Sequence, residues 1–281
     1  MTTTCSEASL AAGEVLGATA VTAERWLLLE VPGAWPRDVG SEGALPAAAE
    51  AAVTAWLTDT PGARLQFVRR PGSTTRRALA FVITAEEAQR EVRRIELDRL
   101  DDLAAIDLAV AGVRVDSSLV LVCGHGSRDR CCALRGTAVF GALAGRLDGE
   151  ELWIASHLGG HRFAANVLVL PAGIQLGRVD ESEAPFVVAR ALAGRIELER
   201  YRGRTCYAPA VQAAEHAIRS ASGLDGIDDL RLDAVTDGTV RFRSWDGREW
   251  AALVEEVEGP VVPASCGSDP SPQRAFSARV L

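Results

Sequence analysis

The sequence predicts an α/β fold whose two halves repeat one order of elements, followed by a smaller α+β extension. Three observations carry this. Short apolar runs stopped by Gly and Pro alternate with Ala- and Leu-rich stretches, the pattern of strands and helices sharing a core. The order strand, helix, three strands, helix occurs once before residue 115 and again after it. Beyond residue 200 the chain turns basic, then gives one helix and several alternating strands. The expected units are an N-terminal α/β half (1–115), a second α/β module (116–200), a C-terminal helix and β extension (201–260) and a mobile tail (261–281).

Residues 5–20 are small and Ala-rich, with weak helical character. Residues 25–31 are a short apolar run stopped by Pro32-Gly33, which predicts a strand. A helix is expected over 45–57, closed by Pro61-Gly62. Strands follow at 64–69, 78–84 and 92–97, and Asp101 and Asp102 cap an expected helix over 103–110. The order then repeats: a strand at 118–122, a helix from about 133 to 147, and strands at 152–155, 163–170 and 174–179. A helix over 184–195 holds Pro185 in its first turn, where the missing N–H has no partner to lose.

Pro32 to Asp38 aligns with Cys123 to Asp129 by a Gly and an Arg-Asp pair, a hint of duplication in which only the second copy carries ligands. Residues 201–206 read as basic and irregular. A helix over 210–220 ends at Gly223. Strands are expected at 230–232, 239–244 and 249–257, with Asp246-Gly247 as a hairpin turn. The Ser- and Pro-rich tail reads as mobile.

Composition excludes several classes. A net charge of −8 argues against a nucleic-acid footprint, which needs clustered basic residues in excess. No apolar run reaches the roughly 20 residues that span a bilayer. The first residues lack the charged and apolar regions of a secretory signal, so a soluble cytoplasmic protein is expected. In a reducing compartment the 6 cysteines are expected to be thiols or metal ligands. All 30 basic residues are arginine, which excludes a Walker-type phosphate loop and a lysine Schiff base.

The chemistry is concentrated between Cys123 and His161, which hold three of the cysteines and three of the 4 histidines. Soft ligands so grouped suggest a metal site. Cys123 and Cys132 are separated by eight residues, whereas structural zinc knuckles pair cysteines about two to four apart. The wider loop suits a larger object such as a two-iron, two-sulfur cluster, on which imidazoles can replace thiolates. Cys131 offers a seven-residue spacing instead, and spacing alone leaves both sulfurs open. Between His157 and His161, Leu158-Gly159-Gly160 disfavours a helix. A loop is expected, with Gly159 and Gly160 allowing close backbone approach and aiming N–H groups at the site.

His125 resembles half of a Rieske box, but the second Cys-x-x-His is absent, so it is expected to orient the loop. Arg128 either belongs to a solvated charge run or holds the loop by a bond to Asp129 or a carbonyl. Cys5, Cys206 and Cys266 stand alone and read as structural or surface thiols. His216 is expected on a helix, and Trp26, Trp35 and Trp153 in the core.

The C-x8-C pattern enclosing Gly-His-Gly and Arg-Asp, followed by H-x3-H enclosing Gly-Gly, resembles the sucrase/ferredoxin-like proteins. Residues 26–35, 166–173 and 202–204 carry further signatures, so the resemblance covers most of the first 220 residues. It implies a thioredoxin-like ferredoxin module over 116–200. It also implies a 2Fe-2S cluster with Cys123 and Cys132 as thiolate ligands and His157 and His161 as imidazole ligands. His125, Arg128, Asp129, Cys131, Gly159 and Gly160 would surround them, and the family spacing favours Cys132 over Cys131. The implied function is one-electron transfer, open to proton coupling through the histidines, with a redox partner protein or reductase. A structural Cys2His2 zinc protein and a thiol oxidoreductase are the competing classes, and the latter normally needs a C-x-x-C that this chain lacks. No carboxylate pair marks a glycosidase site.

Overall fold

A computed structural model of the chain describes residues 3–41, 43–72 and 77–281. Both halves are built around a strand buried on both faces, which is why each reads as a continuous apolar run. In the first half this is β1 (Arg25–Glu30). Helix α2 (Ala47–Asp59) crosses from it to β2 (Arg64–Arg69), which pairs parallel with β1. The other edge of β1 takes β3 (Ala78–Ala85) antiparallel, and β4 (Arg90–Leu97) follows on β3. Strand β5 (Val113–Val115) closes that end of the sheet.

The second half repeats this. Strand β6 (Leu119–Cys123) is buried along its whole length. Helix α3 (Arg130–Leu143) carries the chain to β7 (Leu152–Ala155), parallel to β6. Strands β8 (Val167–Leu170) and β9 (Ile174–Leu176) then add antiparallel, and α4 (Ala184–Leu192) follows. The orders β2-β1-β3-β4 and β7-β6-β8-β9 are therefore the same. The halves join edge to edge through β2 and β7, with Val68 opposite Ala155 and Arg69 opposite Ile154. One ten-stranded sheet results, running unbroken across the expected boundary at 115/116.

Four sequence expectations are corrected. Residues 201–206 are not irregular: β10 (Tyr201–Arg204) extends the sheet on β9, with Arg202 and Arg204 buried. The helix expected over 103–110 is replaced by a 3-10 turn at Leu100–Ala105. Asp102 accepts the Arg99 N–H at 2.8 Å and Asp107 the Ala109 N–H at 2.9 Å, local bonds that compete with a helix. The strand expected over 163–170 begins only at Val167, after a 3-10 turn at His161–Phe163. Finally, the tail is paired strand. Strands β11 (Leu230–Thr236), β12 (Thr239–Ser244), β13 (Glu249–Pro263) and β14 (Pro270–Val280) form an antiparallel four-stranded sheet.

That second sheet packs on α5 (Pro209–Ser222) through Val211, Ala214, Ile218, Leu230, Phe242 and Ala252. Helix α5 ends at Gly223, whose φ of 73° is the left-handed cap that glycine supplies. The long β13–β14 hairpin folds back so that Cys266, at its tip, reaches the start of α3.

Candidate metal centre

Strand β6 delivers Cys123 into the core, and the loop after it is braced by the corresponding loop of the first half. Ser127 Oγ donates to Trp35 O at 2.8 Å, and Arg37 donates to Arg128 O at 3.3 Å. His125 donates from Nε2 to Pro36 O at 2.8 Å, while its Nδ1 accepts the His157 N–H at 3.2 Å. Both of its nitrogens are thereby engaged. In this arrangement His125 ties Pro36 to His157 and has no lone pair left for a metal.

Cys131 and Cys132 are sent in different directions by the start of α3. Asp129 is its N-cap and accepts the Cys131 N–H at 2.8 Å, so the helix begins at Arg130, three residues before the expected start. Adjacent helix positions point about 100° apart. Cys132 therefore faces Cys123 and His157, the three ligand atoms lying within 4.8 Å of one another. His161 Nδ1 is 3.6 Å from Cys132 Sγ. Cys131 faces the other way, onto Cys5 and Cys266. Of the roles left open for Arg128, a bond to Asp129 is not among the hydrogen bonds of the described residues: Asp129 uses its oxygens on the N–H groups of Cys131 and Cys266. Close packing fixes α3 on β6, since a Cβ at Gly136 would lie 2.0 Å from Cys123 O.

The histidines come from the expected loop. Gly159 and Gly160 have φ of 84° and 68°, and a Cβ on them would meet Val21 at 2.5 Å and Arg202 at 2.7 Å respectively. Only glycine fits. The His157 and His161 rings stack with centroids 3.8 Å apart. Sequence reasoning missed the residue that clamps this loop, noting Arg202 only as part of a signature. Its buried guanidinium donates to Gly159 O at 2.9 Å, Asn166 Oδ1 at 2.7 Å and Thr19 Oγ1 at 3.0 Å, and also to Thr19 O. Asn166 in turn donates to Gly160 O at 2.9 Å.

The pocket favours one deprotonated sulfur: Cys132 is held in the thiol form by its bond to Cys123 and by burial. Hydrogen bonds from Cys132, His157 and the Leu158 N–H hold Cys123 well below the ordinary thiol range, against the cost of burial. Burial pushes His161 down to about 3, so its ring is neutral at pH 7. Burial also pulls the Arg202 guanidinium down to about 9, and the Cys123 and Cys132 sulfurs act the other way. His157 Nδ1 is buried with no hydrogen-bond partner among the described residues, which is uncommon for a buried nitrogen. Two sulfurs with the His157 ring beside them, one of its nitrogens buried without a partner, and a second imidazole are a donor set that suits iron–sulfur or zinc. The residues present thus fit a metal group.

Both thiols are fully shielded from solvent. His157 instead borders a cavity of about 380 Å³, lined also by Arg37, Arg64, His125 and Arg128. A larger cavity of about 630 Å³, between Leu16, His216 and Phe276, is lined by none of the four donors.

The profile of the sucrase/ferredoxin-like proteins matches residues 16–203, a segment that contains all four donors and Arg202. The chain belongs to the sucrase/ferredoxin-like family. Among curated relatives, it is 32% identical over 99 residues to "Altered inheritance of mitochondria protein 32" of Debaryomyces hansenii, covering 32% of this chain and 36% of that protein. The protein of the same name from Eremothecium gossypii is 30% identical over 139 residues, 44% of each chain. The family member described here therefore matches less than half the length of these relatives. No solved structure matches it. Among the described residues, no helix is long and apolar enough to cross a membrane.

Proposed function

We propose that the chain is an iron–sulfur electron carrier in which Cys123, Cys132, His157 and His161 hold a 2Fe-2S cluster. The convergence of these four side chains in one buried pocket, with His157 Nδ1 left open, carries the reading. Bound there, the cluster would supply one-electron oxidation and reduction. Cys123 and Cys132 contribute thiolates, and His157 and His161 contribute imidazoles. The buried Arg202 cation offsets thiolate charge and fixes the histidine loop, while His125 sets the position of His157. The cavity walls bearing Arg37, Arg64 and Arg128 give an acidic redox partner an approach to the half-buried His157.

One observation favours a second reading. Ligand atoms of Cys123, Cys132 and His157 within 4.8 Å, with His161 beside them, also match the grip of a single tetrahedral zinc ion. Thiol exchange gains no support, because both sulfurs are inaccessible and exchange requires access.

Absorption together with iron, sulfide and zinc assays separates these readings. The iron–sulfur reading expects red-brown protein with about two irons and two acid-labile sulfides per chain at this site. Colourless, zinc-filled protein would establish the second. Cys123→Ser and Cys132→Ser should each lower iron and sulfide by about tenfold or more, whereas Cys131→Ser should retain both. Loss in the Cys131 variant with retention in the Cys132 variant would reverse the ligand assignment.

A further inference from the structure

Three cysteines remote in sequence meet outside the pocket just described. Cys5 opens α1 (Cys5–Ala11), Cys131 lies in the first turn of α3, and Cys266 sits at the tip of the β13–β14 hairpin. Their sulfurs form a closed triangle: Cys5 to Cys131 3.6 Å, Cys131 to Cys266 3.4 Å, Cys266 to Cys5 3.6 Å. All three are free thiols. Asp129 completes the group, its carboxylate 3.9 Å from Cys5 Sγ and all four ligand atoms within 4.8 Å of one another. Two of these residues, Cys5 and Cys266, lie outside the family-matched segment 16–203.

The triangle has the dimensions of a coordination polyhedron. Zinc–sulfur bonds of about 2.3 Å at tetrahedral angles place ligand sulfurs about 3.8 Å apart, and a carboxylate oxygen about 3.6 Å from each sulfur. The three sulfur–sulfur sides and the Cys5–Asp129 distance fall within a few tenths of an ångström of these values. A disulfide explains the arrangement less well, because it would join two sulfurs at about 2.05 Å and leave the third without a role.

The surroundings hold one thiolate. Cys131 is lowered to about 5 by its bond from Cys5. Cys5 is pushed up by donating that bond and Cys266 by burial, so these two keep their protons until a metal displaces them. The Ser6 N–H is directed at Cys131 Sγ and the Cys5 N–H at Cys266 Sγ. Asp129 is held in place by the Cys131 and Cys266 N–H groups, each at 2.8 Å, an outer support of the kind that orients metal ligands.

We propose that Cys5, Cys131, Cys266 and Asp129 form a second metal site, a Cys3Asp tetrahedron for Zn²⁺. It clips the first helix, the start of α3 and the C-terminal hairpin together. Binding releases the thiol protons to solvent and involves no change of oxidation state. Four protein ligands and no open position make it structural rather than catalytic.

Metal analysis of the full chain after growth with zinc tests this independently of the first site. One zinc per chain is expected in addition to whatever Cys123 and Cys132 bind. Cys266→Ser and Cys5→Ser should lose that zinc and keep the metal of the first pocket; Cys123→Ser should do the reverse. Cys266 lies on a partly exposed hairpin tip, so its variant should fold, and circular dichroism would check this. Zinc X-ray absorption on a wild-type sample whose first pocket holds iron needs no variant. It should show three sulfurs near about 2.3 Å and one lighter atom near about 2.0–2.2 Å. Zinc retained in both Cys5→Ser and Cys266→Ser would overturn the site. So would a disulfide among these cysteines in the native protein, or loss of first-pocket iron together with the zinc. If the first pocket proves to hold no iron while zinc follows Cys5 and Cys266, only the electron-carrier reading falls.

Discussion

Arg202→Met should strip iron from the purified protein and lower its thermal midpoint by roughly 5–10 °C. Methionine keeps the apolar stem but ends short of the guanidinium, whose carbon lies 4.9 Å from the Phe163 ring centroid, so the change removes the cation together with that ring contact. Gly159 O, Asn166 Oδ1 and the Thr19 oxygens would lose their donor. A buried polar group left unsatisfied costs about 1–3 kcal/mol, so even three of these four acceptors orphaned at the low end cost about 3 kcal/mol. The loss falls on the loop that carries His157 and His161, hence the coupling to iron. Arg202→Lys should recover only part of both properties, because a point ammonium cannot span the Thr19 and Asn166 sides together. Full iron and a midpoint within about 2 °C of wild type would remove Arg202 from the positioning role.

Glu215→Ala should destabilise the chain by about 3–5 kcal/mol while leaving iron per folded chain unchanged. Glu215 and Arg219 sit one turn apart on α5 with side-chain exposures of 0% and 1%, paired at 2.9 Å. Tyr201 donates to the same carboxylate at 2.8 Å. Arg219 also donates to Leu224 O and Gly226 O, tying the end of α5 to the following loop. Removing the carboxylate leaves a buried cation without its counter-charge. Replacing both residues by leucine should cost less than the single change, because no orphaned charge remains. Urea unfolding at fixed pH would measure the three proteins, and a single-variant loss below about 1 kcal/mol would contradict this reading of the network. The contrast with Arg202→Met separates loss of the site from loss of the fold.

What could be read from the sequence was what local pattern encodes. The apolar runs at β1 and β6, the strand bounds at 64–69 and 152–155 and the Gly223 helix end were all legible, because each depends on a few neighbouring residues. So was the grouping of Cys123, Cys132, His157 and His161, through spacing and resemblance. What escaped depends on distant parts of the chain. Arg202 and Arg204 look like a solvated basic stretch until the acceptors around them are brought up from residues far away. The Ser- and Pro-rich tail becomes strand only because β13 gives β14 a partner. Cys5 and Cys266 were set aside as isolated thiols, since nothing local signals that 261 residues of separation close to 3.6 Å. The split between Cys131 and Cys132 needed the Asp129 cap, which fixes the helical phase.

Pulsed electron paramagnetic resonance of the reduced protein, grown with nitrogen-15 histidine, tests most directly whether His157 and His161 share an iron–sulfur cluster with Cys123 and Cys132. The expected result is a reduced-cluster signal with two strongly coupled imidazole nitrogens, one of which disappears in His161→Cys. A signal with no strongly coupled nitrogen, or a pocket filled by zinc that gives no signal at all, would contradict the assignment.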